Sequence, residues 1–340
     1  MSSTPSPVPG AGPGTSPGDL VWYTDHLLGD PFEEADLGPA TLVRYRPGEA
    51  AQGGERPPSG NASVTKGAVL HVHGYNDYFF HDHLARAFAD AGYAFYAVDL
   101  RNAGRSLREG QTPHFVTNLR QQAEDVDAAA RAVRRLEPGL PLVVHAHSTG
   151  GLTSSLWAHD HRADGDGPDA LVLDGPFLEL AAPAWQRTIG TWLVEVLGRV
   201  WPLGIMSHSP SYYATGQLKA NGGRWEFDTT LKRPGGVPAR LGWMRAARRA
   251  HAEVRRGLAI ARPVLVAYSA RSGPDNPANP DLDTQDTILD VVQIAARAPG
   301  LGRDVTLLSV DGGVHDLALS ADGPRTAYLD GVLGWLDEKL

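Results

Sequence analysis

The chain has 340 residues, 42% hydrophobic and 21% charged, with 39 acidic against 31 basic side chains and a formal net charge of −8. That composition suits a globular chain with a sizeable core, and the acidic balance gives no electrostatic pull toward nucleic acid or anionic lipid. The chain has no cysteine, which excludes disulfide scaffolds, cysteine nucleophiles and thiolate metal sites.

Residues 1–18 are almost all Ser, Thr, Pro, Gly and Ala. They lack the basic and apolar regions of an export leader and read as a disordered tail, so a cytoplasmic location is expected. Strands are predicted at 41–46, 68–73, 93–99, 141–147, 169–174, 263–269 and 304–310. Most are continuous apolar runs, such as Leu142-Val143-Val144 and Val264-Leu265-Val266, as expected of strands buried on both faces. Helical spacing falls between them at 81–91, 117–135 and 325–340, the second closed by Pro138-Gly139. Strand–helix alternation predicts an α/β fold with a doubly wound, mostly parallel sheet.

Two stretches interrupt the alternation. Residues 47–66 carry almost nothing to bury and read as a surface excursion. Residues 176–261 hold five of the eight tryptophans and exceed what one crossover helix needs. They are expected to form a helical cap inserted between two halves of the sheet domain, 19–175 and 262–340. Within that cap, 189–206 is the most apolar stretch of the chain. It contains Glu195 and Arg199 and so predicts an amphipathic helix rather than a membrane span. Such a helix should bury its apolar face, and some of the tryptophans are expected to line a pocket.

Three local signals carry chemistry. Val143-Val144-His145-Ala146-His147-Ser148-Thr149-Gly150-Gly151 runs from a buried strand into a serine and then a helix-like stretch. Small residues on either side let strand and helix approach while the turn projects the hydroxyl. His71-Val72-His73-Gly74-Tyr75-Asn76-Asp77 follows another strand, and a His-Gly turn there can present backbone N–H groups to a developing oxyanion. Asp311-Gly312-Gly313-Val314-His315-Asp316 follows the last strand. Of thirteen histidines, His315 is the one chosen as general base. His81 and His83 read as polar helix-start residues. There is neither a phosphate-cradling Gly-x-x-x-x-Gly-Lys nor a dinucleotide fingerprint, and no cofactor or metal is predicted.

Together with the Asp99–Ser106 strand end and Asp174-Gly175-Pro176-Phe177, these motifs resemble the α/β-hydrolase superfamily. The resemblance is to its serine-hydrolase branch, which holds monoacylglycerol lipases, lysophospholipase-like esterases and serine aminopeptidases. It covers about residues 20 to 340. It implies Ser148 as nucleophile, His315 as base, and the backbone N–H groups of Tyr75 and Thr149 as oxyanion donors. It also implies a small-molecule ester substrate with a lipophilic acyl chain. The acid departs from the family pattern. The usual short-turn position holds Ser272, and a Pro- and Asp-rich loop follows. Asp286 is the expected acid and Asp290 the alternative, the latter also suited to capping a helix. Asp174 is a third, topologically possible acid, and Asp275, Asp281 and Asp283 are expected as solvated loop residues. A peptidase or amidase, an acyltransferase and a catalytically silent ligand-binding homologue would share this scaffold.

Overall fold

A computed structural model describes residues 20–47, 66–181, 190–208 and 210–340. The expected tail and most of the 47–66 excursion lie outside the described residues. Nine strands form one sheet. They are β1 (Tyr23–Thr24), β2 (Phe32–Asp36), β3 (Thr41–Tyr45), β4 (Gly67–Val72), β5 (Tyr93–Asp99), β6 (Leu142–His147), β7 (Ala170–Asp174), β10 (Val264–Ser269) and β11 (Val305–Val310). Their spatial order is β1-β2-β3-β5-β4-β6-β7-β10-β11. β5, β4, β6, β7, β10 and β11 pair in parallel, and β1, β2 and β3 join one edge antiparallel.

Every residue of β4, β5, β6 and β7 is buried, as continuous apolar runs require. Alternate side chains serve opposite faces. Leu70, Val72, Tyr96, Val98, Leu142 and Val144 pack on one side with α2 (Arg120–Leu136) and α3 (Ser148–Asp160). Val69, Phe95, Ala97 and Val143 pack on the other with α1 (Asp82–Asp90) and α8 (Asp322–Lys339).

Between β7 and β10 the described chain leaves the sheet. It forms α4 (Thr191–Val200), α5 (Tyr212–Gln217), α6 (Leu241–Arg256) and a small antiparallel pair, β8 (Ile205–Ser207) with β9 (Ala239–Arg240). α6 buries Trp243, Met244, Ala247, Ala250 and Val254 in the same core as α2 and α3. α7 (Val291–Arg297) precedes β11. Among the described residues no helix is long and apolar enough to cross a membrane.

α4 forms where the spacing predicts, but its orientation is the reverse of expectation. Val194 and Gly198 are its buried residues. A Cβ on Gly198 would lie 2.6 Å from the Leu241 carbonyl oxygen, so this small face meets α6. Glu195 turns to the same helix and accepts from Arg245 and Arg249. Trp192, Leu193, Val196 and Val200 are left exposed. Two arginines of α6 draw the half-exposed carboxylate to their side, and the broad apolar stripe points out.

Candidate active site

β6 ends at His147, and the chain turns sharply into α3 through Ser148, whose φ is +52°. A left-handed serine is strained and persists where packing enforces it. Here the enforcement is close approach: a Cβ on Gly150 would fall 2.3 Å from the His73 carbonyl oxygen. The turn therefore needs glycine at 150, while Ala146 fills the first small position. Ser148 is 8% exposed, and its Oγ donates to His315 Nε2 at 3.0 Å.

His315 lies beyond β11 and is placed by contact with the start of the insertion. Gly175 has φ +50°, and a Cβ there would lie 2.4 Å from the His315 carbonyl oxygen, so only glycine lets the two loops meet. His315 Nδ1 donates to Asp286 Oδ2 at 2.9 Å. With that proton fixed, Nε2 is left as the acceptor facing Ser148, the tautomer a general base needs. The His147 ring packs edge-on at 4.8 Å from His315, and burial pushes its pKa down to about 4, so the neighbour is neutral.

Asp286 reaches this place by a detour. After β10 the chain leaves at Gly273 and returns at Asp286, whose N–H donates to the Arg271 carbonyl while Gly273 N–H donates to the Asp286 carbonyl, both at 2.9 Å. Ser272 and Asp286 are thus bridged side by side. The Pro- and Asp-rich loop separates Asp286 from Ser272 in sequence and not in space. Asp286 Oδ1 accepts from the N–H groups of Ile288 and Leu289 at 2.8 and 2.7 Å, which leaves Oδ2 for the histidine. Asp290 instead accepts from Val292 N–H as the N-cap of α7. Asp174 accepts from Leu317 N–H. Asp283 pairs with Arg224, and Asp281 is exposed. Asp275, expected as a solvated residue, is half-buried and accepts from Tyr213 N–H at 2.8 Å. It thereby fixes α5, whose Tyr213 ring lies 6.0 Å from His315.

The His-Gly turn sits against the elbow: a Cβ on Gly74 would lie 3.0 Å from Ser148 Cβ. Leu100 N–H donates to His73 Nε2 at 3.0 Å, so the ring proton is on Nδ1, which donates to the Gly74 carbonyl at 2.7 Å. Because the peptide is planar and trans, pinning the Gly74 carbonyl also fixes the direction of the Tyr75 N–H. Thr149 is the second residue of α3, so its N–H belongs to the first turn, where amides have no intrahelical acceptor. The Tyr75 ring packs at a tilt on buried Trp243, the ring centroids 4.2 Å apart. Of the four cap tryptophans described, Trp243 is the one in contact with this turn. Trp192 and Trp201 are exposed, and Trp225 packs on His83.

Close to these residues lies a buried polar cluster that joins His81, read from the sequence as a helix-start residue, to Asp316. His81 Nε2 donates to Asp316 Oδ2 at 2.9 Å, and Lys232 Nζ donates to Asp77 Oδ1 at 2.9 Å. Burial works against ionisation of Asp316, but the facing His147 and His81 hold its carboxyl well below the usual range. Burial and the Asp316 charge push the Asp174 carboxyl well above it. Asp77, His81 and Asp316 could together offer a cation three ligand atoms within 4.8 Å, as could His147, Asp174 and Asp316. The Lys232 ammonium already supplies positive charge at Asp77.

A parallel sheet with a serine elbow at its carboxyl end, faced by a histidine and an acid from later loops, is the architecture of the α/β-hydrolases. Within that superfamily, the family model described as "Serine aminopeptidase, S33" matches residues 63–270, well over half of the chain, and the chain belongs to this family. It is 32% identical over 139 residues to a monoacylglycerol lipase of Mycolicibacterium smegmatis, a match that takes in 40% of this chain and 46% of that relative. The chain thus spans about half the length of that curated relative. Among solved structures, a soluble variant of monoglyceride lipase from Saccharomyces cerevisiae with a substrate analog superposes with TM-score 0.62 at 17% identity, over 98% of both chains. A monoacylglycerol lipase of Paleococcus ferrophilus superposes with TM-score 0.55 at 21% identity, over 80% of this chain and 95% of that one.

Proposed function

We propose that this chain is a serine-dependent carboxylic ester hydrolase for substrates with a lipophilic acyl chain, of the monoacylglycerol or lysophospholipid type. The observation that carries the reading is the continuous array Ser148 Oγ to His315 Nε2 at 3.0 Å and His315 Nδ1 to Asp286 Oδ2 at 2.9 Å. A serine hydroxyl becomes nucleophilic when an imidazole takes its proton, and the carboxylate stabilises the cation that results.

Ser148 Oγ attacks the acyl carbon and its proton passes to His315 Nε2. The carbonyl electron pair moves onto oxygen, where the amides of Tyr75 and Thr149 receive the charge. The tetrahedral adduct collapses, the ester C–O bond breaks, and His315 returns the proton to the departing alcohol. Water, deprotonated by the same nitrogen, then attacks the acyl-serine and releases the acid.

The lipophilic acyl preference is supported by the likeness to the Mycolicibacterium smegmatis monoacylglycerol lipase. The family description favours a second reading, cleavage of an aminoacyl amide. That reaction needs a carboxylate free to hold the substrate ammonium. Asp77 and Glu179 are each already paired, with Lys232 and Arg248, which favours the ester. A panel of p-nitrophenyl esters from C2 to C12 beside aminoacyl p-nitroanilides tests the choice. The expected result is ester turnover with kcat/KM rising with chain length and no anilide cleavage. Faster anilide than ester cleavage would overturn it.

A further inference from the structure

Three consecutive residues of the His-Gly turn are each tied to one short stretch of the insertion, residues 232–238. Tyr75 Oη donates to the Pro238 carbonyl at 3.0 Å. Asn76 makes two bonds to the main chain of Arg233: its Nδ2 donates to the carbonyl and its Oδ1 accepts from the N–H, both at 2.9 Å. Lys232 Nζ donates to Asp77 Oδ1 at 2.9 Å, with the lysine 4% and the aspartate 2% exposed. Asn76 has φ +55°, a left-handed conformation that asparagine tolerates but that an unsupported loop need not keep.

These bonds come from the insertion, whereas His73, which holds the Gly74 carbonyl, follows β4 of the sheet. The Gly74 carbonyl is held by His73, and the three residues after it are tied through their side chains to the insertion. An ion pair this deeply buried is a poor source of stability, because desolvation offsets most of the attraction. What it can supply is a fixed position. A preorganised amide stabilises an oxyanion only if it already stands at hydrogen-bonding distance from where the charge develops.

We infer that Asn76 and Lys232 are positioning residues for the oxyanion hole, through which the 232–238 stretch of the insertion holds the Tyr75 amide at its working distance. The inference rests on the reading of Ser148 as nucleophile with the Tyr75 and Thr149 amides as donors. It goes beyond that reading by making the insertion part of the transition-state machinery. Displacing this stretch would impair turnover while Ser148, His315 and Asp286 stay in place.

The test uses Asn76→Gly, which keeps the left-handed backbone without strain but removes both side-chain bonds, and Lys232→Met, which keeps the apolar stem. Arg224→Ala, which breaks an exposed pair with Asp283 elsewhere in the insertion, is the control. Each full-length protein is assayed on p-nitrophenyl acetate, with kcat expressed per titrated active site. Each is also assayed for inhibition by an alkyl trifluoromethyl ketone, whose serine adduct carries an oxyanion. We expect kcat to fall roughly 10- to 100-fold in Asn76→Gly and Lys232→Met, the size of effect that loss or misplacement of one donor produces. KM should stay within about threefold, since ground-state binding gains little from the donor. Ketone affinity should weaken in proportion to kcat/KM, and Arg224→Ala should match the parent. A purely structural role would lower the titrated fraction or the melting temperature and leave kcat per site and ketone affinity intact, which would overturn the inference. If the parent itself forms no ketone adduct, the hydrolase reading falls and this inference with it. A parent that binds the ketone and variants that bind it equally well remove the positioning role alone.

Discussion

In the sheet, an apolar run in the sequence is a buried run in the molecule: Leu142, Val143 and Val144 of β6 are all fully covered. In the insertion the same kind of sequence does the opposite, and Trp192 of α4 is 69% exposed while Glu195 turns inward to Arg245 and Arg249. The difference follows from what surrounds each element. A central parallel strand has helices on both faces and no choice of orientation. A helix on one side of an insertion can present either face to the helix it packs against. Here a narrow stripe of Val194 and Gly198, together with ion pairs to α6, decides the matter. Chemistry divides along the same line: the proposed triad hangs entirely from strand ends and the loops after them, and the insertion contributes contacts around it.

If that division holds, the largest effect separates two aspartates in neighbouring turns. Asp286→Asn should lower kcat by about 10⁴, the loss typical of a triad carboxylate. Asp290→Asn should leave kcat within a few-fold, since asparagine caps a helix as well as aspartate does. Steady-state ester kinetics on the two variants decide this, and the reverse ranking would break the assignment.

Next comes packing. Trp243, in α6, joins the insertion to the core and to Tyr75. Trp243→Ala should cost about 3–5 kcal/mol of stability, as for other large core truncations. Denaturant unfolding will show it as a shifted midpoint, and a change below about 1 kcal/mol would mean that α6 packs more loosely than described.

The third contrast is pH. Burial pushes His145 and His147, in the sheet, to about 3 and about 4, and His114 and His251, the latter in the insertion, to about 3. An unfolded histidine binds a proton near pH 6.5, so on acidification the unfolded chain gains protons first. The stability these groups contribute is complete above about pH 6.5 and is lost as pH falls toward 4, by up to about 1.4 kcal/mol per pH unit for each histidine. The raised Asp174 carboxyl opposes this by at most one proton. Urea unfolding between pH 7 and 5 should show the decline, and His251→Gln should flatten it. A flat parent profile would contradict the neutral buried histidines.

The smallest effect belongs to the exposed stripe. Trp192→Glu should change stability by no more than about 0.5 kcal/mol and leave KM for p-nitrophenyl acetate unchanged. A large loss on this short ester would show that α4 faces the site after all.

Much of this architecture was legible beforehand because both-face burial leaves a plain signature. The seven predicted strands correspond to β3 through β7, β10 and β11. β2 escaped because Phe32-Glu33-Glu34-Ala35-Asp36 neither alternates nor runs apolar, as suits a strand near a solvated edge. Ser148 and His315 stand in local motifs, and their neighbours suffice to mark them. What brings Asp286 to His315 was hidden in the return of the 273–285 loop, a pairing set by backbone hydrogen bonds rather than side-chain type. The His81–Asp316 and Lys232–Asp77 contacts join residues 235 and 155 positions apart, and a polar residue gives no sign of such a partner. The outward face of α4 was misread because amphipathic spacing identifies a stripe without saying which neighbour claims it.

The most direct test of the central claim is capture of the acyl-enzyme. Rapid mixing with p-nitrophenyl decanoate should release a burst of nitrophenolate equal to the enzyme present. Acid quenching should then leave one decanoyl group on the peptide containing Ser148, with burst and label both absent in Ser148→Ala. Label on any other residue, or ester turnover that survives in a folded Ser148→Ala protein, would contradict the account.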